Sequence, residues 1–149
     1  MKKFILLILC IVIALSFTGC NSKLKDGTYT VEMSNEAAEK NHGWKDKLVI
    51  VVKNNNATIK EFDSYSTEDG RAKSKDENYG MSLEEHGTQP SVYFPQLKKN
   101  WENAKGDPSK IETITGATQS SNSLKSMMAI ALESAKKGIK TTQIYNGNP

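Results

Sequence analysis

The sequence predicts an α+β fold, in which a small antiparallel sheet is covered by helices. Three observations lead to this prediction. The first half of the chain contains strand-like runs joined by short turns, which is typical of an antiparallel meander. The second half contains segments marked by proline and glycine, and near its end an apolar stripe has the spacing of an amphipathic helix. Because a meander leaves one apolar face open, we expect these helices to cover it.

Three strands are expected in the first half. Residues 28–32 alternate polar and apolar side chains, as a half-buried strand does. Residues 47–53 include five consecutive apolar side chains, which predicts a central strand that is buried on both faces. Residues 54–56 are three asparagines that favour a turn, and residues 57–65 are then the second strand of a hairpin.

The helices are predicted from proline, glycine and apolar spacing. The strongest covers residues 121–137, where apolar side chains recur at intervals of three and four before the C-cap Gly138. Another helix starts near Pro90 or Pro95, since proline is tolerated in a first turn, and ends before Gly106. The remaining segments are residues 35–41 (a short helix or a polar excursion), 68–76 (a charged loop), 78–85 (a helical stretch) and 139–149 (a polar C-terminal tail).

The start of the chain resembles a bacterial lipoprotein signal peptide. Two lysines precede an apolar run over residues 4–15 that is short for a membrane span, and small residues lead to Cys20. Cys10 lies inside the apolar run, so Cys20 is the cysteine that the mature chain keeps, and acylation accounts for an unpaired thiol in an exported protein. We predict residues 1–19 as the signal peptide, Cys20 as the lipidation site and residues 20–25 as a tether. A plain secretory signal or an uncleaved anchor is the alternative.

Length, charge and motifs limit what the remaining chain does. The 149 residues suffice for one folded domain, which we place at residues 26–138. Without Lys2 and Lys3 the chain has 18 basic against 17 acidic side chains, so it lacks the basic field that nucleic-acid binding needs. His42 and His86 are far apart and lack metal-ligand spacing, so no metal site is predicted. No nucleophile elbow or dinucleotide-binding glycine pattern is present in the sequence.

The stretch 111–123, Ile-Glu-Thr-Ile-Thr-Gly-Ala-Thr-Gln-Ser-Ser-Asn-Ser, is the centre of the functional prediction. Its β-branched start predicts a strand, which ends at a glycine turn, and its serines at 120, 121 and 123 are able to cap the helix beyond. Thr118 therefore lies at a strand-to-helix corner. The unpaired amides and the dipole at such a helix start favour a phosphate. Corners of this kind are also ordinary structural features, and that alternative stays open on the residues alone.

Residues 112–118, Glu-Thr-Ile-Thr-Gly-Ala-Thr, resemble the flavinylation motif of FMN-binding domains, usually written Asp-x-x-Ser/Thr-Gly-Ala-Thr. Such domains occur in the C subunit of the sodium-pumping NADH:quinone reductase, in the G subunit of the Rnf electron-transport complex and in flavinylated surface lipoproteins. The resemblance implies that Thr118 carries FMN through a phosphoester bond, which a separate flavin transferase forms. The sequence departs from the motif at Glu112, which stands where aspartate is usual.

The resemblance also implies roles for the neighbours of Thr118. Thr115, Gly116 and Ala117 would present the acceptor hydroxyl. The amides and hydroxyls around Gln119, Ser120 and Ser121 would bind the phosphate oxygens.

The isoalloxazine ring would need a platform, and sequence offers candidates without choosing among them. These are Tyr79, Met81, Tyr93 and Trp101, each of which could equally be a core residue. Lys73 could oppose the negative charge of the flavin, or it could lie in a solvated loop.

The expected function is that of a redox carrier rather than an enzyme with its own substrate. We expect a protein held by lipid on the extracytoplasmic face of the cell membrane, which passes electrons from a membrane donor to an external acceptor or a reductase. The alternatives are a lipoprotein that binds a ligand or peptide without any cofactor, and a protein that binds FMN without a covalent bond.

Overall fold

The computed structural model describes residues 23–147. Its elements along the chain are β1 (Gly27–Met33), α1 (Asn35–Lys40), β2 (Trp44–Lys53), β3 (Asn56–Ser66), α2 (Leu83–His86), α3 (Pro90–Asn103), α4 (Thr118–Lys137) and β4 (Gln143–Tyr145). Short 3₁₀ turns occur at Lys73–Lys75 and Pro108–Lys110. The predicted signal peptide and the lipidation site Cys20 lie outside the described residues.

The predicted α+β class is confirmed. The four strands form one sheet in the order β3-β2-β1-β4, and β2 is an inner strand, as expected from its run of apolar residues. Neighbours among β1, β2 and β3 are antiparallel, so the predicted meander is present. The β2–β3 turn places Asn54 and Asn55 at φ values of +52° and +63°. Asparagine tolerates this left-handed conformation, which two-residue hairpin turns require.

The predicted C-terminal tail contains a fourth strand. Strand β4 pairs parallel to β1, with Val31 opposite Gln143 and Met33 opposite Tyr145, so the sheet is mixed rather than purely antiparallel. Tyr145 is buried at 4% exposure, whereas Ile144 is 55% exposed. A three-residue strand has too little local pattern to be predicted, because its stability comes from the edge of β1 and the packing of one tyrosine.

Helix α4 supplies one wall of the hydrophobic core, as its apolar stripe predicts. The residues of the predicted stripe are all buried, and they are Leu124, Met127, Met128, Ala131, Leu132 and Ala135. They pack on the inward face of the sheet together with Phe94 and Leu97 of α3. Burying a side chain of this size stabilises the fold by about 1.5–3 kcal/mol. The core is built from residues between Leu24 and Tyr145, and every named α-helix except α2 contributes buried residues to it.

The motif segment differs from the prediction. Residues 111–114 form no strand. Ile111, Ile114 and Ala117 are buried whereas the residues between them are exposed, so burial recurs every third residue instead of every second. The Glu112 carbonyl accepts from Asn100 Nδ2 at 3.0 Å rather than from a neighbouring strand. The two isoleucines therefore serve packing, not sheet pairing.

The helices of the second half begin or end at other residues than predicted. Of residues 78–85 only the end is helical, because α2 spans Leu83–His86 between the Ser82 cap and Gly87 at a φ of +69°. Helix α3 starts at Pro90, one of the two predicted positions, and keeps Pro95 inside. Helix α4 starts three residues earlier than predicted. No helix in residues 23–147 has the length and apolarity that crossing a membrane requires.

Candidate functional site

The turn before α4 has a backbone shape that requires glycine. The Ala117 amide donates to the Ile114 carbonyl over 2.9 Å, and Gly116 between them has a φ of +83°. A Cβ atom on Gly116 would lie 2.9 Å from the His86 carbonyl oxygen and 3.0 Å from the Thr88 methyl carbon. Glycine is needed both for the left-handed conformation and for the close approach of residues 81–88, which we call the α2 segment.

Helix α4 begins at Thr118 without a side-chain cap. Ala117 occupies the N-cap position and makes no side-chain hydrogen bond there. The Ser121 amide donates to the Ala117 carbonyl over 2.9 Å, so the amides of Thr118, Gln119 and Ser120 come before the first amide that donates within the helix and have no helical acceptor. Thr118 and Gln119 are exposed and Ser120 is half-buried. The start of this 20-residue helix thus presents backbone donors beside an exposed hydroxyl, an arrangement that suits a phosphate.

Ser121 is bonded within the protein. Its hydroxyl donates to the Ala117 carbonyl over 2.8 Å and accepts from the Ile114 amide over 3.1 Å. Ser121 is fully buried. It fixes the motif segment against the first turn of α4, so its hydroxyl is not presented to a ligand as the sequence analysis expected.

Ser120 and Ser123 also bond to other elements of the fold. Ser120 bonds to the hydroxyl of Tyr93 on α3, and Ser123, at 2% exposure, bonds to the carboxylate of Asp46 on β2. The prediction that Ser120, Ser121 and Ser123 cap α4 is therefore wrong. They hold the helix start against three other parts of the chain.

An open groove of about 610 Å³ runs beside Thr118. Thr118, Gln119 and Asn122 of α4 line it together with Lys40 of α1. Lys40 is exposed, so it brings a positive charge to the groove that Thr118 lines. A larger depression of about 850 Å³ lies at the other end of α4, where Leu132 and Trp101 line it. It is remote from Thr118, because a 20-residue helix is about 30 Å long.

A buried carboxylate lies beneath the first two turns of α4. Asp46 is 2% exposed and bonds to the hydroxyls of Ser64 and Ser123. Burial raises the pKa of Asp46 above its ordinary value, and the two hydroxyls and the Lys73 ammonium oppose that change. Sequence reasoning missed Asp46. The alternation of side chains along β2 could have identified it, since Asp46 falls on the same face of the strand as the buried residues Leu48 and Ile50.

Lys73 is buried rather than solvated. Its ammonium lies 4.9 Å from the ring centroid of Trp44 and 4.8 Å from that of Tyr79. The two rings meet edge to face at 5.6 Å. Cation–π attraction of this kind compensates part of the loss of hydration. The surface loop predicted at residues 68–76 is therefore anchored through its lysine.

The predicted platform residues divide into two groups. Met81 is partly buried against the core, and its methyl carbon lies 3.5 Å from where a Gly116 Cβ would be. Tyr93 is 3% exposed and bonds to Ser120, and burial raises the pKa of its phenol above the ordinary value. Tyr79 is half-buried against Trp44. These three lie in the half of the molecule that contains the motif.

Trp101 belongs to the other group. It is 4% exposed, and its indole nitrogen donates to the Ala57 carbonyl over 2.9 Å at the far end of α4. Trp101 is thus a core residue that joins α3 to the start of β3, and it is remote from Thr118.

One buried hydroxyl at the corner has no partner. Thr88 is 3% exposed, and its Oγ1 makes no hydrogen bond within the described residues. An unsatisfied buried hydroxyl is rare and costs about 1–3 kcal/mol. Thr88 borders Gly116, so the unused donor lies beside the motif turn.

Comparison with known proteins assigns this chain to a family. The family model for the FMN-binding domain matches residues 43–133, which include β2, β3, α3 and most of α4. The chain belongs to the FMN-binding domain family. It is accordingly a flavin-binding protein, and the match includes the whole motif at residues 112–118.

Two relatives of this FMN-binding domain extend the comparison. The 15 kDa lipoprotein of Treponema pallidum (strain Nichols) is 30% identical over 134 residues, which is 89% of this chain and 90% of the relative. The crystal structure of the CPE2226 protein from Clostridium perfringens has a TM-score of 0.71 and 33% identity. It covers 84% of this chain and 99% of its own. The shared fold thus extends over most of the chain.

The corner of this FMN-binding domain fits the phosphate of FMN. The exposed residues Thr118, Gln119 and Lys40 border one open groove. Thr88, whose hydroxyl has no partner within the described residues, borders the motif turn at Gly116. Sequence reasoning missed Lys40 and Thr88, because only the fold brings α1 and the α2 segment to the motif.

Glu112 is exposed near the start of the motif segment. Its neighbour Thr113 accepts from the Lys125 ammonium over 2.8 Å, and the Glu112 backbone is held by Asn100. The side chain thus extends from a fixed backbone towards solvent.

Proposed function

We propose that this protein is a lipid-anchored carrier flavoprotein in which the phosphate of FMN is esterified to Thr118. The observation that carries the proposal is the Thr118 hydroxyl itself. It is exposed on the first residue of α4, beside amides that have no helical acceptor. The motif around it and membership of the FMN-binding domain family support the same assignment.

The attachment is a phosphoryl transfer that consumes FAD. The Thr118 oxygen forms a bond to the phosphorus on the FMN side of the pyrophosphate, and the bond from that phosphorus to the AMP phosphate breaks. AMP leaves, and the hydroxyl proton passes to a base of the flavin transferase. No oxidant or reductant is needed for this step.

The residues of the corner have separate tasks in this proposal. The amides of Gln119 and Ser120 donate to phosphate oxygens, and Lys40 opposes the phosphate charge. Gly116 allows the α2 segment to pack against the turn, which brings Met81 close to the motif. Tyr79 and Met81 are the proposed ring contacts. The bound flavin supplies the redox chemistry that no side chain of the chain provides.

Anchoring and direction of electron flow complete the proposal. Cys20 would carry the lipid, which agrees with the lipobox-like sequence and with the name of the Treponema relative, a 15 kDa lipoprotein. The domain would then stand on the extracytoplasmic face and pass electrons from a membrane donor to an external acceptor or reductase. A covalent bond would keep the cofactor at the site regardless of affinity, where a free flavin would diffuse away.

The test is the intact mass of the protein after co-expression with a flavin transferase. Thr118→Ala removes the acceptor, and Thr113→Ala is the matched control because Thr113 is exposed in the same segment at a position where the motif accepts any residue. We expect one FMN adduct that survives denaturation in the wild type and in Thr113→Ala, and none in Thr118→Ala. An adduct that persists in Thr118→Ala would refute the assignment.

Non-covalent FMN binding is the second candidate, and Glu112 is the observation that favours it. Glu112 is one methylene longer than the usual aspartate, so its carboxylate lies farther from the backbone than a transferase that recognises aspartate would require. In that case the wild type would show no adduct after denaturation, and it would still retain FMN through gel filtration. A chain with neither adduct nor retained FMN would leave the corner a purely structural feature.

A further inference from the structure

The two ends of α4 lie in regions of opposite charge. The end opposite Thr118 is formed by residues 23–27, 53–57, 98–110 and 133–142, which bring together the N-terminal segment, the β2–β3 turn, the end of α3 and the end of α4. We call it the basic end. It carries ten lysines against four carboxylates. The motif half, residues 32–47, 61–89 and 111–123, carries thirteen carboxylates against six lysine and arginine side chains.

The excess charge at the basic end is on the surface. Lys53, Lys105 and Lys140 are exposed, and no carboxylate in the described residues forms an ion pair with them. One carboxylate at this end pairs with two lysines, since Glu133 lies 3.9 Å from Lys136 and 3.1 Å from Lys137. A positive surface therefore remains after local pairing.

The described chain begins at this same end. The Lys25 amide donates to the Ala135 carbonyl over 3.0 Å, and the Leu24 amide donates to Asn55 Oδ1 over 2.8 Å. Residues 24 and 25, which follow Cys20 closely in the sequence, thus lie beside the C-terminal end of α4 and the β2–β3 turn. Ile139, at 41% exposure, lies among these lysines and offers an apolar side chain.

We propose that the basic end is a docking surface for an anionic lipid bilayer. Lysines gain free energy near anionic headgroups over a distance of about 10 Å, and an exposed isoleucine enters the interface between headgroups and acyl chains. The acidic motif half is repelled by the same surface. The domain therefore stands with α4 pointing away from the bilayer and Thr118 about 30 Å from it.

This inference goes beyond the proposed function and does not depend on the flavin. It also does not require the lipid on Cys20, because the charges of the folded domain suffice. The test therefore uses flavin-free chain from residue 21 onward, which keeps every residue of the core described above.

The first experiment is sedimentation with vesicles of phosphatidylcholine, with and without phosphatidylglycerol. We expect binding to the anionic vesicles alone, and a loss of binding as salt is added. Replacing Lys53, Lys105 and Lys140 by glutamine should weaken it at least tenfold. The matched control replaces Lys45, Lys47 and Lys75 of the motif half by glutamine, which changes net charge equally and should leave binding within about twofold. Equal loss in both variants, or equal binding to neutral vesicles, would overturn the proposal.

A second experiment reads orientation and does not depend on the lysine variants. Trp44 starts β2 in the motif half, whereas Trp101 lies at the basic end. In lipidated, flavin-free full-length protein on anionic vesicles, brominated lipids should quench Trp101, measured in Trp44→Phe, more strongly than Trp44, measured in Trp101→Phe. Stronger quenching of Trp44 would show the opposite orientation and refute the proposal.

Discussion

The hydroxyl of Ser123 bonds to the buried carboxylate of Asp46, which joins the second turn of α4 to β2 directly beneath the motif. Asp46 also bonds to Ser64 of the neighbouring strand β3, so one carboxylate connects two strands and the helix. The Lys73 ammonium, which lies against two aromatic rings, acts on Asp46 and lowers its pKa. The helix start that presents Thr118 is therefore supported by a titratable group.

The first prediction concerns the pH dependence of stability. Burial raises the pKa of Asp46 in the folded protein above the ordinary value of 3.8. The stabilisation that comes from this raised pKa is therefore complete below pH 3.8. It is lost as the pH rises through the pKa that Asp46 has in the folded protein. Asp46→Asn removes the titration. Its stability relative to the wild type should rise from about pH 4 to about pH 7, measured by urea unfolding of flavin-free protein.

Two other charges face Asp46 and have to be considered in that measurement. Lys73 lowers the pKa of Asp46 and Asp63 raises it, and both remain in the variant. Asp63→Asn is a second test, because removing a charge that raises the pKa of Asp46 should reduce the loss of stability that accompanies rising pH. A stability difference between wild type and Asp46→Asn that stays constant with pH would contradict the prediction.

The second prediction concerns the unpartnered hydroxyl of Thr88. Thr88→Val replaces it by a methyl group of similar shape, so flavin-free protein should become more stable by about 1 kcal/mol. Ser121→Ala is the contrast, because that buried hydroxyl makes two hydrogen bonds and its loss should destabilise by about 1–3 kcal/mol. If Thr88 Oγ1 bonds to FMN, Thr88→Val should also weaken FMN retention. Destabilisation of the flavin-free Thr88→Val protein would count against an unsatisfied hydroxyl.

The third prediction concerns Gly116. Gly116→Ala meets two penalties, the left-handed φ of +83° and a Cβ placed 2.9 Å from the His86 carbonyl oxygen. Gly70→Ala meets the first alone, since its φ is +72° and nothing lies within 4 Å of its Cβ position. We expect about 1–2 kcal/mol of destabilisation for Gly70→Ala and clearly more for Gly116→Ala in thermal unfolding. Equal losses would mean that the α2 segment does not press on the turn.

The sequence predicted the parts of this fold that are locally patterned. The apolar stripe of α4 and the triple-asparagine hairpin each carry their signal within a few residues. Strand β4 and the segment at 111–114 were missed or misassigned, because pairing with β1 and packing between α3 and α4 decide them. At the site, the motif pointed to Thr118 through its resemblance. Lys40 and Thr88 could not be found, because they reach the motif only through tertiary contacts.

The last prediction concerns the position where this chain departs from the family motif. Glu112 is exposed on a backbone that Asn100 holds in place, so Glu112→Asp shortens the side chain without altering the core. If the transferase reads a carboxylate at the depth of aspartate, Glu112→Asp should be labelled on Thr118 several-fold faster than wild type, and Glu112→Gln should be labelled more slowly than either. The rate of adduct formation by intact mass, with purified transferase and FAD, measures this. Equal rates for all three proteins would show that the transferase ignores this side chain and recognises the Thr-Gly-Ala-Thr turn alone.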